Sequence, residues 1–137
     1  MTAQLHAQTI LDRLTSSGAP ALTVYDGKVN GLPPYVLVYF TVVTAEAELE
    51  MGVVDLTFDS DVMVVRAYCH CVATDGRTSR ALTNRVRTAL LNWQPVIAGR
   101  TAWPIRHEDS SMPDRDETTG SDYFDVTDVY RLKTIPS

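Results

Sequence analysis

The side chains best suited to chemistry gather in two short strings, Cys69-His70-Cys71 and His107-Glu108-Asp109-Ser110-Ser111. The first offers two thiols and an imidazole, which are zinc donors. A zinc site needs about four ligands converging on one point, usually with two to four residues between paired cysteines. Here a single residue separates the thiols. In a strand they leave the same face ~6.6 Å apart along the chain, with the imidazole on the other face. That geometry also makes a disulfide between them awkward. His6 and His107 form no cluster with them, so the cysteines read as core residues. The second string has the residue types of a hydrolase but no glycine-framed nucleophile elbow, and a triad is defined by geometry, not adjacency. Asp114-Arg115-Asp116-Glu117 is acidic enough to attract Ca²⁺ yet lacks the D-x-[DN]-x-[DN]-G pattern. The expectation is a non-enzymatic protein with no catalytic residue, metal or cofactor.

The elements that position these strings follow from hydrophobic periodicity. Residues 2–16 predict a helix with Ala3, Ala7, Ile10, Leu11 and Leu14 on one stripe, stopped by Ser16-Ser17-Gly18-Ala19-Pro20. Val24-Tyr25-Asp26 predicts a short strand, followed by the turn dipeptides Asp26-Gly27 and Asn30-Gly31 and the extended lead-in Leu32-Pro33-Pro34. Tyr35 to Val43 predicts a strand apolar on both faces. Residues 44–61 read as a long hairpin arm, with Val53 to Phe58 as a possible strand. A strand over 62–72 then places Met63, Val65, Ala67, Cys69 and Cys71 on one side. The helix opened by Thr74-Asp75-Gly76-Arg77 turns Leu82, Val86, Ala89, Leu90 and Trp93 toward the sheet. Thr101 to Glu108 is a weaker strand that Pro104 demotes to an edge or a bulge. Tyr123 to Ile135 closes the chain, with Phe124, Val126, Tyr130 and Leu132 on one face. The predicted fold class is α+β: a two-layer, single domain over residues 1–137, with two helices on one face of a mostly antiparallel four- to five-stranded sheet.

Composition narrows the function. The chain has 137 residues, 45% of them hydrophobic, enough for one core. No apolar run approaches the ~20 residues of a membrane span. The first residues lack the basic and apolar blocks of a signal peptide, which predicts a cytosolic origin. A net charge of −5 argues against a general nucleic-acid binder. Glu108 to Asp122 holds six acids against Arg115 alone, while the second helix is rich in arginine. Arg77, Arg80 and Arg87 lie on its outer side with Leu91. Such separation of sign suits head-to-tail contact between copies; a solvated loop and a solvated helix face is the plainer reading. The residues singled out for a subunit or partner interface are Arg77, Arg80, Arg87 and Leu91, with Glu46, Glu48, Glu50, Asp114, Asp116 and Glu117 as their acidic counterparts. A sheet with helices on one face only also predicts apolar area on the other, and hence an oligomer.

In this order, the elements resemble the tail terminator (tail completion) family of siphovirus-type bacteriophages. The matching strings are Val24-Tyr25-Asp26-Gly27, Leu32-Pro33-Pro34-Tyr35-Val36-Leu37-Val38 and Val65-Arg66-Ala67-Tyr68. They continue with the helix carrying Gly76, Arg77, Arg80, Ala81, Leu82, Val86, Arg87, Ala89 and Leu90, then an acidic loop and the strand end Tyr130-Arg131-Leu132. The resemblance implies a non-enzymatic virion protein that assembles as a homohexameric ring on the tail tube protein. The ring ends tube growth and forms the surface to which a head–tail connector or head-completion protein docks. It also implies a location in the tail neck, assembly in the host cytoplasm, and passage of DNA through the ring without specific binding. The segments 44–61 and 109–122 are longer than is common in that family. The alternative readings are another neck protein of the same particle, or a small binding module.

Overall fold

The computed structural model describes residues 2–18, 21–44, 62–111, 114–116 and 123–136, with side chains for 3–18, 21–42, 62–111 and 123–136. Its element order is α1 (Thr2–Ser16), β1 (Val24–Asp26), β2 (Tyr35–Thr44), β3 (Met63–Ala73), α2 (Gly76–Leu90), β4 (Arg100–Ala102), β5 (Arg106–Ser110), β6 (Asp114–Asp116) and β7 (Tyr123–Pro136). The class is α+β, but the sheet is larger and more mixed than the sequence predicts. Among the described residues it has seven strands, and β1 runs parallel to β2. The possible strand at Val53 to Phe58 falls outside the described residues.

β3 is the central strand. It pairs with β2 over Met63–Val72 on one side and with β7 along its whole length on the other, both antiparallel. β7 is 14 residues long, and its outer edge is met piecewise: β4 pairs Thr134–Pro136, β5 pairs Asp128–Arg131 and β6 pairs Tyr123–Asp125. The break between β4 and β5 falls at Pro104, which has no N–H to give a ladder. The Trp103 N–H still reaches Lys133 O at 3.0 Å. Past the proline the chain turns inward, the Ile105 N–H binds Trp93 O at 2.8 Å, and the Ile105 side chain is fully buried. The single weak strand expected over 101–108 is therefore two strands around a proline. The acidic run that follows is likewise not all loop, since part of it forms β6.

One face of the sheet is covered by both helices. Ile10, Leu11 and Leu14 of α1 and Leu82, Val86, Ala89 and Leu90 of α2 form a continuous core with Val36, Val38, Val65, Ala67, Cys69, Cys71, Tyr130 and Leu132. α1 ends as the sequence requires: Gly18 takes φ +75°, a left-handed conformation that costs glycine little. α2 begins at Asp75, whose carboxylate accepts the Thr78 N–H at 2.8 Å and the Thr78 hydroxyl at 3.0 Å. At its other end Leu91 is already extended and Asn92 takes φ +63°, a conformation asparagine tolerates. A second close approach fixes Gly31. A β-carbon there would sit 2.5 Å from the Tyr25 hydroxyl, which donates to Asn30 O at 3.2 Å and stacks edge-on against Tyr35.

Two measurements check this packing. Leu90→Ala empties a fully buried site between helix and sheet and should cost about 2–5 kcal/mol in chemical unfolding. The hydrogen bond from the Thr78 N–H holds the Asp75 carboxyl below the usual carboxylate range. Its contribution is thus present above the unfolded-state pKa and is lost as pH falls through the lower folded-state value. Asp75→Ala should lower the thermal midpoint at neutral pH, with the gap to the parent closing in strong acid; a gap that persists there would contradict the cap.

Candidate assembly surface

Cys69-His70-Cys71 lies in the middle of β3, and the pleat separates its members. Both thiols are fully buried on the helix face. Burial, reinforced by the neighbouring Cys71 and Asp128, pushes the Cys69 thiol well up, and burial pushes Cys71 up to about 12. His70 points the other way. Its Nδ1 lies 3.0 Å from an Asp125 carboxylate oxygen and 3.0 Å from the Thr127 hydroxyl, and its ring meets Tyr39 edge-on. Among the described residues no group of three or more His, Cys, Asp and Glu side chains could hold a metal ion.

The second string is also divided. A bulge at Glu108 shifts the β5 register so that His107 and Ser110, three residues apart, both face the helices. Both address one carboxylate, Asp128, which is fully buried on β7. The Ser110 hydroxyl donates to Asp128 Oδ1, the Tyr130 hydroxyl donates to Oδ2 at 3.2 Å, and Arg87 Nη2 lies 3.6 Å from Oδ2. His107 Nε2 lies 3.5 Å from Oδ1, outside good hydrogen-bond geometry. Serine and histidine thus share an acid instead of forming a nucleophile–base pair, which a hydrolase would need. The cluster anchors β5 and α2 to β7. Burial and the adjacent Asp128 carboxylate also push the Tyr130 hydroxyl upward.

The predicted interface residues fall into three groups. Arg77 and Arg80 are exposed at the start of α2. Arg87 is 45% exposed, and its guanidinium lies 3.6 Å from the buried Asp128 carboxylate of the same subunit. Leu91 is not on the outer face. The helix stops at Leu90, the extended Leu91 leaves the helical wheel, and its side chain packs partly buried against the core. Arg85 is likewise internal, donating to Ser17 O at 3.0 Å and tying the end of α1 to α2. Asp114 and Asp116 belong to β6, whose side chains are outside the described set, and Glu46, Glu48, Glu50 and Glu117 are outside the described residues altogether.

The sheet face away from the helices is mixed. It carries the apolar Leu37, Val64, Val72 and Val129 with Tyr35, of which Tyr35, Val64 and Val72 are buried, and also Tyr39, Tyr68, His70, Asp125, Thr127, Arg66, Arg131 and Lys133. Arg66 and Glu108 pair at 2.9 Å, and Lys133 lies over the Trp103 ring. This face combines apolar, aromatic and charged side chains. No described helix is long and apolar enough to cross a membrane.

The fold has recognisable counterparts. The chain is similar to one from the virion of a native gene transfer agent particle, with a TM-score of 0.74 and 16% identity over 98% of this chain and 97% of that one. It shares that chain's fold. A second solved chain matches with a TM-score of 0.66 and 18% identity, over 98% and 96% of the two chains. No protein-family model and no curated protein matches the sequence.

Two experiments examine the internal sites. Native protein should leave both cysteines unmodified by a thiol reagent at neutral pH and release two reactive thiols on unfolding, because only the thiolate reacts. Asp128→Ala strands the Tyr130 hydroxyl in the core and should cost about 1–3 kcal/mol, with Asp128→Asn recovering part of the loss; a neutral Asp128→Ala would show the cluster to be idle.

Proposed function

We propose that this chain is a non-enzymatic structural protein of a phage-like virion. The observation that carries the reading is the fold, shared over 98% of this chain and 97% of a chain from a gene transfer agent virion. The likeness spans both chains nearly end to end, so the comparison concerns the whole subunit and not one borrowed motif.

Within that class we assign it to the tail neck, as the ring that caps the tail tube. The order of elements and the strings shared with tail terminators support this finer reading. So does the distribution of charge, because a ring is built from heterologous contacts in which one patch meets a different patch of the next copy. In this reading six copies close on the last layer of tube protein, end its polymerisation and offer the upper surface to a head–tail connector or head-completion protein. DNA crosses the lumen without being bound specifically. The subunit gathers in the host cytoplasm and ends in the virion, and it needs no cofactor.

Electron microscopy of the purified protein with and without tail tubes tests the assignment. Rings seated on tube ends, and over-long tubes in particles lacking the chain, are the expected outcome. Normal-length headless tails in its absence would move it to another neck position, and particles unaffected by its loss would refute the virion role.

A further inference from the structure

A hollow of about 520 Å³ opens between the last turn of α1 and the outer side of α2. Arg13, Ser16 and Ser17 line it from α1 and the turn after it, and Asn84, Arg85 and Thr88 line it from α2. Among the described residues no acidic side chain lines it. The sequence of α2 contains no acid, and the single acid of α1, Asp12, accepts from Gln8 at 2.8 Å.

The carbonyls that end α1 would favour a cation here, but the chain itself answers them. The Thr15, Ser16 and Ser17 hydroxyls donate to Leu11 O, Arg13 O and Leu14 O, and Arg85 Nη2 donates to Ser17 O. What the hollow still offers is donors. Arg13 is fixed at two points: its Nε donates to Ala89 O at 3.0 Å, and its guanidinium carbon lies 4.8 Å from the centre of the Trp93 ring. Those contacts leave its Nη N–H groups without a partner among the described residues. Asn84 and Thr88 stand four residues apart on α2 and so share a face. Neither side chain is bonded among the described residues, and for Thr88 that is exceptional. Thr9, Thr15, Thr78 and Thr83, the other helical threonines with described side chains, all donate within their own helix or to its cap. Such local bonding is the ordinary fate of a helical hydroxyl.

We propose that this hollow between α1 and α2 is a binding site for a phosphoryl oxyanion, held by the Arg13 guanidinium with the Asn84 amide and the Thr88 hydroxyl. The site lies within one subunit and does not depend on the ring reading. A tetrahedral phosphate accepts from several directions at once, which suits donors arriving from two helices, whereas a planar carboxylate is matched by one guanidinium fork alone. A guanidinium already held at Nε and stacked on an indole loses little further freedom when the ligand arrives.

Sodium phosphate titrated into isotopically labelled full-length protein, with sodium chloride at matched ionic strength as the reference, tests the site by nuclear magnetic resonance. The Arg13 Nε–H, the Asn84 side-chain amide and the Thr88 backbone amide should shift together and saturate on one curve. Arg13→Gln should weaken binding about tenfold or more. The Asn84→Ala/Thr88→Ala variant should also weaken it; both side chains are exposed, so this variant keeps the test decisive should Arg13→Gln unfold. A short single-stranded DNA distinguishes the source of the phosphoryl group. Tighter binding than inorganic phosphate, lost in the same variants, assigns it to a nucleic-acid backbone, and weaker binding assigns it to a free phosphate. Shifts no larger than those in chloride, acetate binding as tightly as phosphate, or indifference to both variants would each overturn the proposal. So would an equal loss in Arg77→Gln/Arg80→Gln at the other end of α2, which would mark diffuse attraction to the helix.

Discussion

The fold depends on how β7 satisfies its two backbone edges. Its inner edge is matched by β3 over eleven residues. Its outer edge would offer a long row of unpaired amides and carbonyls, a template for uncontrolled strand addition. Three short strands share that duty, and each junction between them does something a single continuous strand could not. The gap at Pro104 sends Ile105 into the core and ties the strand to the turn after α2. The bulge at Glu108 lets His107 and Ser110 both face Asp128 while Glu108 reaches Arg66 on the other side. The segmented edge therefore sets both the buried polar cluster and the charged outer face.

Most of the framework is legible in the sequence, because burial and local backbone preference agree there. The inward residues of α1 and α2, the alternation of β3 and the stop at Gly18 follow from period and glycine placement alone. The misses share a cause, since they concern places where the chain leaves ideal geometry. Leu91 lies off the wheel because α2 ends one residue earlier. The run 101–108 divides at a proline whose effect depends on where the neighbouring carbonyls fall. The parallel pairing of β1 involves three residues, too few to leave a periodic signal.

The polar sites were less visible. Asp128 does carry a signal: it interrupts the inward row Val126, Tyr130, Leu132 of β7, and an acid in such a row must find partners or unfold the strand. Its neighbours cannot be read from pattern, because His107 and Ser110 come from either side of a bulge in β5 and Arg87 from a helix. His6 is similar. It sits on the buried stripe of α1, and its Nε2 lies 2.7 Å from the Thr134 hydroxyl, which also accepts from Arg100 Nε at 2.8 Å. The row Arg66–Arg131–Arg106 joins residues 25 to 65 positions apart, and only strand register brings them together.

The paired thiols of β3 have a consequence for the life of such a subunit. They are held neutral and sealed beneath two helices, one residue apart on a pleat that keeps them from joining. Only a thiolate is readily oxidised or exchanged, and neither sulfur is ionised or open to solvent in the folded chain. The covalent structure of this interior is therefore indifferent to the redox potential around it.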